Sequence, residues 1–252
     1  HLLNGEPLLA LDSWADALLI ARELNDLALC AKVYLGIGQV YIGFGDDLAA
    51  LHYNEMALEM AISLGDLRLQ CEARLNVASD SYRLQRYTQT LQHIDEAEKA
   101  LEAGMPNKVW AAEIVYYRGI VHAQQQRYAQ ARAELETAYA LSTQNDNLWG
   151  RAHAQTALAE VLWQLRSPDA EAALKLALQL AQQGQLGKLQ RRSSKALIEC
   201  YLAGQHSELA LPLYRLLLGS RDEVSIRISA AQRQRITQLE TSSRISQLQT
   251  EY

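Results

Sequence analysis

The sequence contains little proline, glycine and cysteine, and each scarcity excludes a class of fold. Only 4 of the 252 residues are Pro and 13 are Gly. A sheet-rich chain of this length needs many more turn residues, so we expect a helical protein. The three cysteines, Cys30, Cys71 and Cys200, lie far apart and form no CxxC or Cys/His cluster. They predict reduced, buried thiols in a cytoplasmic protein.

Excess positive charge and long apolar runs are also missing. The chain has 24 Lys+Arg against 29 Asp+Glu, a net charge of −5, which does not indicate a nucleic-acid surface. No run approaches about 18 apolar residues, and no basic segment with an apolar stretch opens the chain. Because 49% of the residues are hydrophobic, a packed core is expected. We therefore predict no nucleic-acid partner and no membrane segment.

Motifs for catalysis are absent as well. Gly36-Ile37-Gly38 and Gly43-Phe44-Gly45 are not followed by the Gly-Lys-Ser/Thr of a phosphate-binding loop. The six histidines show no zinc-protease spacing, and no Ser/His/Asp arrangement stands out. The sequence therefore predicts that this chain is not an enzyme and has no cofactor and no metal site.

What the sequence does contain is a repeat of about 40 residues. Packing residues recur in triplets with spacings of +4 and +3, as in Ala50, Asn54 and Ala57. Successive triplets start 40, 40, 41, 39 and 40 residues apart. Their first members are Ala10, Ala50, Thr90, Ala131, Ala170 and Ala210. Such a regular period predicts a stack of similar structural units.

Turn signals recur at the end and in the middle of each unit. Leu64-Gly65-Asp66 closes one unit, and Gly43-Phe44-Gly45-Asp46 falls within another. Gly favours the left-handed conformation that ends a helix, and Asp, Asn or Ser caps the helix that follows. Each unit is therefore predicted to be two helices joined by short loops.

The pattern Tyr34-x2-Ile37-Gly38-x2-Tyr41-x3-Gly45-Asp46-x3-Ala50-x6-Ala57 resembles the tetratricopeptide repeat (TPR). The TPR period is about 34 residues, and the longer period here is similar to that of TPR arrays in bacterial signalling proteins. The resemblance implies an all-α fold, a right-handed TPR superhelix (α-solenoid) of about eleven helices. The small residues at Gly38 and Ala50 are expected to face each other within one helix pair.

The resemblance also sets expected domain bounds. Residues 1–221 form the TPR array, with five full repeats after one half repeat whose first helix would precede His1. Residues 222–252 contain no Pro or Gly and predict a long C-terminal helix that caps the array and links it to an absent output domain. Its sparse apolar positions predict a weak homodimer. These positions are Ile236, Leu239, Ile245 and Leu248.

In TPR arrays the first helix of each repeat lines a concave groove that binds a protein or peptide. Carried onto this sequence, the resemblance gives the groove residues Gln39, Leu75, Ser79, Tyr82, Tyr116, Ile120, Gln155, Leu162, Trp163, Arg192 and Lys195. Aromatic side chains with a positive end suit a peptide with an apolar centre and an acidic end. The alternative is that Tyr116 and Trp163 only pack within the array.

The function that the resemblance implies is regulatory. The chain would be the protein- or peptide-binding TPR domain of a bacterial cytosolic signalling protein. It would transmit to a C-terminal output domain, of which the GGDEF diguanylate cyclase is the leading example. The alternative is a free-standing TPR scaffold or a quorum-sensing peptide receptor.

Overall fold

The computed structural model describes residues 7–104 and 106–219. This part of the chain contains α-helices and no β-strand. The helices are α1 (Pro7–Glu23), α2 (Leu27–Phe44), α3 (Asp47–Ser63), α4 (Leu67–Arg83), α5 (Tyr87–Ala103), α6 (Lys108–Gln124), α7 (Tyr128–Gln144), α8 (Leu148–Gln164), α9 (Ala170–Gln183), α10 (Gly187–Ala203) and α11 (Ser207–Gly219). The predicted all-α array of eleven helices is confirmed. The predicted helix 222–252, with its dimerisation residues, lies outside the described residues.

The helices are nearly uniform in length because one turn closes after every twenty residues. Eight of the eleven have 17 residues. Nine loops each place a single residue in the left-handed region. These residues are Asn25, Gly45, Gly65, Gln85, Gln126, Asp146, Arg166, Gln185 and Gln205. Their spacing of 19 or 20 residues on either side of the gap at 105 is half of the 40-residue period.

All nine loops use the same hydrogen bonds. In the loop after α2, the Gly45 N–H donates to the carbonyl of Ile42 at 3.1 Å, and the Asp46 N–H donates to that of Tyr41 at 3.0 Å. The Asp46 side chain then accepts the Ala49 N–H at 3.1 Å and caps α3. This Schellman closure followed by an N-cap satisfies backbone groups at both helix ends. Side-chain caps of the same kind come from Asp26, Asp66, Asn107 and Asn147.

The prediction that glycine supplies the left-handed residue is correct in only two loops. Gly184 and Gly204 have right-handed φ values of −83° and −81°, and the next residues, Gln185 and Gln205, take φ values of 53° and 61°. The packing of each helix on its neighbour, and not the presence of a glycine, therefore determines where the turn lies. The residue found there adopts the left-handed conformation at a local energetic cost.

Substitutions in these turns test this cost. A Cβ at Gly45 would meet no atom within 4 Å, so Gly45→Ala adds conformational strain alone and should reduce the free energy of unfolding by about 1 kcal/mol. Gln126→Gly removes such strain and should raise the free energy of unfolding by a smaller amount, because glycine loses more entropy on folding. Urea unfolding followed by circular dichroism measures both. Equal effects of the same sign would contradict this account.

The helices fall into two compact units. In the first, residues 7–104, helices α1 to α5 pack in chain order and α2 also contacts α4. Its core includes three stacked tyrosines, with Tyr53 5.2 Å from Tyr41 and 6.1 Å from Tyr34 between ring centroids. Gly36 leaves room for the Trp14 ring, which would lie 2.4 Å from a Cβ at that position.

In the second unit, residues 106–219, helices α6 to α11 also pack in chain order. Here α8 contacts both α6 and α10. In each unit, therefore, even-numbered helices meet one another directly as well as their odd-numbered neighbours. The likeness of the two units follows from the repeat.

The repeated small residues lie inside the helix packing. All six first members of the triplets are buried, and Ala50, Thr90 and Ala131 are fully enclosed. The expected contact between Gly38 and Ala50 stays a prediction. The atoms nearest a Cβ at Gly38 belong to Asn54, one turn further along α3, and those nearest a Cβ at Gly119 belong to Leu135. The triplet's second residue, not its first, occupies the space left by the glycine.

Helix α2 is the most apolar of the array. Leu27–Phe44 has a mean hydropathy of 1.5, and by length and composition this helix alone among the described residues is able to span a membrane. Core helices of soluble proteins have the same character, and half of this segment is buried inside the protein. Its apolar face packs with Leu11 and Leu18 of α1 in the core of the first unit. The expectation of no membrane segment stays a prediction.

Candidate functional site

Each unit has a candidate site, the partly accessible side chains on its even-numbered helices, which we call the even-helix face of that unit. On α8, Trp149, His153 and Glu160 follow one another at helical spacing and remain exposed or half-buried. Side chains on the other sides of α8, such as Ala152 and Leu158, are buried. All eleven groove residues predicted from the sequence lie on even-numbered helices.

In the first unit the even-helix face is polar and internally hydrogen-bonded. The Gln39 amide of α2 donates to Asn76 Oδ1 of α4 at 2.6 Å. One turn further along α4, Ser79 Oγ accepts from Arg83 Nη1 at 2.7 Å. Tyr82 is half-buried, with its ring centroid 5.8 Å from that of Tyr87. The predicted residues Gln39, Ser79 and Tyr82 thus lie along one accessible strip.

A buried carboxylate lies directly beneath this strip. Asp80 is fully enclosed and accepts a 2.6 Å hydrogen bond from the Asn54 amide of α3. Its second oxygen pairs with Arg83, whose Nε also donates to Asp47 Oδ1 at 2.6 Å. Burial raises the pKa of Asp80 from 3.8 to about 6, against the opposing effects of Asn54 and Arg83. The network adds an ion pair and hydrogen bonds to the apolar core that α3 and α4 share.

Asp80 should make stability depend on pH. Because its pKa is higher in the folded state, that state holds a proton that the unfolded state has lost between about pH 4 and pH 6. The free energy of unfolding should fall by about 1–3 kcal/mol as the pH rises through this window. Asp80→Asn has no carboxyl that titrates at this position. The difference in free energy of unfolding between wild type and variant should therefore change by about 1–3 kcal/mol across this window. Urea titrations at pH 4.5 and pH 7 measure it, and a constant difference would refute it.

In the second unit the even-helix face is aromatic. The Trp149 and His153 rings of α8 lie 3.9 Å apart between centroids, with an interplanar angle of 35°. The Tyr116 ring of α6 meets His153 edge to face at 5.9 Å, and its hydroxyl lies 3.5 Å from His153 Nδ1. Trp149 is 47% exposed. One side of this aromatic group is therefore supported by the protein while the Trp149 ring reaches the surface.

His153 should make the second unit sensitive to acid. Burial, with a smaller contribution from Arg192, lowers its pKa from 6.5 to about 4. The folded state therefore binds fewer protons than the unfolded state between these values, and stability should decline as the pH falls from 6.5 to 4. His153→Gln should lose less stability over this interval than the wild type. Thermal unfolding at pH 7, 6 and 5 measures the melting temperature of both proteins. Equal decreases in the two melting temperatures would contradict the role given to His153.

A basic helix lies beside the aromatic group. Helix α10 carries four cationic residues against the single carboxylate of Glu199. The cations are Lys188, Arg191, Arg192 and Lys195. Arg192 forms a two-pronged ion pair with Glu160 of α8, with its Nε 2.5 Å from the carboxylate. Lys188 and Lys195 are exposed, and neither has an ion-pair partner within 7–104 and 106–219.

The structure divides the eleven predicted groove residues into two groups. Seven are exposed or half-buried: Gln39, Ser79, Tyr82, Tyr116, Trp163, Arg192 and Lys195. Four are buried within helix packing: Leu75, Ile120, Gln155 and Leu162. Gln155 shows why, because its amide donates to the carbonyl of Ala173 in α9 at 3.1 Å and thereby joins two helices. The repeat position that the TPR resemblance assigns to a residue therefore does not predict whether its side chain is accessible or buried.

Sequence reasoning missed the residues that complete the face. The predicted groove residues did not include Trp149, His153, Glu160 and Asn76. His153, Glu160 and Asn76 each contact a predicted residue, and the Trp149 ring packs on His153. A signal was available for two of them. Trp149 and His153 stand one helical turn apart, directly after the Asn147 cap, so they share one face at the start of α8.

Trp163 belongs to a different surface feature. It lines a cleft of about 730 Å³ at the ends of α8 and α10 and the start of α9, together with Arg166, Glu171, Cys200 and His206. Burial raises the pKa of the Cys200 thiol. Across the described residues, no group of three or more His, Cys, Asp or Glu side chains is placed to bind a metal ion.

No protein-family model matches the chain, and no curated protein matches its sequence. Several solved structures resemble its fold. BtubC (BKLC) from P. vanneervenii is 18% identical with a TM-score of 0.65, covering 88% of this chain and 95% of that one. The Rap protein complexed with competence and sporulation factor is 14% identical with the same TM-score, covering 93% and 72%. The TPR domain of P58(IPK), 14% identical, covers 92% and 66% with a TM-score of only 0.36. The chain folds as a TPR-like helical array.

Proposed function

We propose that the chain is a protein- or peptide-binding helical-repeat domain that uses the even-helix face. The observation that carries this proposal is the half-exposed aromatic group of Tyr116, His153 and Trp149 beside the basic helix α10. A tryptophan that is 47% exposed and supported by a second ring is the kind of residue that anchors binding partners. The TPR-like fold supports the same proposal.

Binding would proceed on a largely preformed surface. Gln39 and Asn76 fix each other through their hydrogen bond, and Arg192 is held by Glu160. Because these side chains are already ordered, a ligand would lose less free energy in immobilising them. On the even-helix face of residues 7–104, the amide and hydroxyl groups suit the backbone amides of an extended peptide. On the even-helix face of residues 106–219, the aromatic group suits apolar side chains.

The finer proposal concerns signalling. In this proposal residues 1–221 are the sensory array of a bacterial cytosolic protein. Residues 222–252 form the linker helix to an output domain, with a GGDEF diguanylate cyclase as the leading example. The residues Ile236, Leu239, Ile245 and Leu248 would then form a weak homodimer seam that brings two output domains together. The motive is their apolar spacing in an otherwise polar segment.

The second candidate is a free-standing peptide receptor. The fold likeness to the Rap protein, which was crystallised in complex with competence and sporulation factor, favours it. The reading frame of the gene beyond Tyr252 separates the candidates. An output domain encoded downstream supports the signalling proposal, and a stop codon within about 20 codons supports the receptor.

An unbiased peptide selection tests the binding function. The purified chain is used to select from a displayed library of random 12-residue peptides, and enriched sequences are resynthesised and titrated by calorimetry. We expect at least one to bind with a dissociation constant below about 100 μM. Tyr116→Ala should weaken its binding about tenfold, as expected for an interface hot spot. The matched control, Tyr139→Ala, changes a half-buried tyrosine of α7 and should have little effect.

Two results would reject the proposal. The first is the absence of any enriched peptide after repeated rounds of selection. The second is a peptide whose binding is lost in Tyr139→Ala but kept in Tyr116→Ala, because the odd-numbered helices would then carry the site.

A further inference from the structure

We propose, on the premise that the even-helix face binds peptides, that the face of residues 106–219 selects an aromatic side chain flanked by carboxylates. The aromatic ring would stack on Trp149, and the carboxylates would pair with Lys188 and Lys195. We call these two parts the ring subsite and the lysine pair.

The ring subsite is supported on one side and open on the other. His153 lies 3.9 Å from the Trp149 ring, and Tyr116 stands edge-on against His153 at 5.9 Å. These contacts fix the orientation of Trp149 while almost half of its surface stays accessible. An aromatic side chain stacking there gains apolar burial and a favourable ring geometry at low entropic cost.

The lysine pair gives the subsite its charge preference. Lys188 and Lys195 are seven residues apart on one face of α10, about 10 Å along the helix axis. The Thr156 and Ser193 hydroxyls, 3.3 Å apart, join α8 to α10. Because the chain reverses before and after α9, α8 and α10 run in the same direction, and Trp149 and Lys188 both lie near the starts of their helices. The Glu160 carboxylate is engaged by Arg192, whereas the lysine pair has no ion-pair partner in the part of the chain that the structure describes.

Charge complementarity therefore favours an acidic partner. The chain as a whole has a net charge of −5, so the basic face of α10 is a local exception to its composition. Arg191 and Arg192 add to the positive potential, and Glu199 and the paired Glu160 reduce it. Because the imidazole of His153 is neutral at pH 7, it contributes a ring and no charge. Carboxylates next to the bound ring would meet lysines on their own helix face.

Three synthetic peptides test the preference. The first is acetyl-Gly-Glu-Glu-Trp-Glu-Glu-Gly-amide; the second replaces its Trp by Ala, and the third replaces its four Glu by Lys. Titrations of the full chain are followed by fluorescence anisotropy of labelled peptides. We expect the first peptide to bind about tenfold or more tightly than either of the others. Added salt should weaken its binding, because the lysines are exposed.

Variants of the ring subsite and the lysine pair test whether these residues cause the peptide preference. Trp149→Ala should abolish the preference for the first peptide over the second, and Trp149→Phe should retain it. Lys188→Gln combined with Lys195→Gln should weaken the two acidic peptides about tenfold and reduce their salt dependence. Tyr214→Ala and Lys99→Gln are matched controls, an aromatic residue with 44% exposure and an exposed lysine away from the face. Neither should change any affinity, and circular dichroism verifies folding.

The outcomes separate this inference from the binding function. If peptides selected from the random library bind but Trp149→Ala and the double lysine variant leave their affinities unchanged, the ring subsite and the lysine pair are wrong and peptide binding stands. If the lysine-containing peptide binds as tightly as the acidic one, the charge preference is wrong. If neither library peptides nor the three synthetic ones bind at about 1 mM, the binding function fails and the selectivity falls with it.

Discussion

The structure depends on one constraint, the reversal of the chain after each helix of about five turns. Each of the nine repeated turns uses the same two backbone hydrogen bonds, so successive helices meet at equivalent positions along their lengths. This equivalence keeps the first small residue of every triplet buried. Within each unit it also brings the same helical positions of the even-numbered helices to one face. The candidate site is therefore a by-product of regular turns.

The two units use this geometry for different chemistry. At the position one turn after the first small residue, α3 carries Asn54 and α7 carries Leu135, each against a glycine of the preceding helix. Asn54 reaches on to a buried carboxylate and supports a polar face, whereas Leu135 contributes to an apolar core. The aromatic and basic residues stand on the second unit's face. A single repeat pattern thus supports two surfaces that differ in charge and polarity.

The sequence predicted the fold far better than the site. The 40-residue period, the helix pairs and the acidic or amide caps were all readable because they depend on local spacing and backbone hydrogen bonds. The turns that contain Gln185 and Gln205 were readable as well, but their left-handed residue was not, since glutamine has no preference for that conformation and a glycine precedes each. Site residues such as Gln155 were assigned from repeat positions, yet a half-turn difference in orientation decides whether a side chain packs or faces outward. His153 meets Tyr116 only because the fold brings a residue 37 positions away on another helix against it.

The order of packing also has a mechanical consequence. Within each unit, apart from the contacts among even-numbered helices, each helix packs on the helices before and after it in the chain. Pulling on the two ends of such a unit loads its helix pairs in series, so the weakest pair unfolds first and shields the others from the force. Each unit should then extend in steps of one helix or one pair, about 20 or 40 residues each, and refold in the same increments.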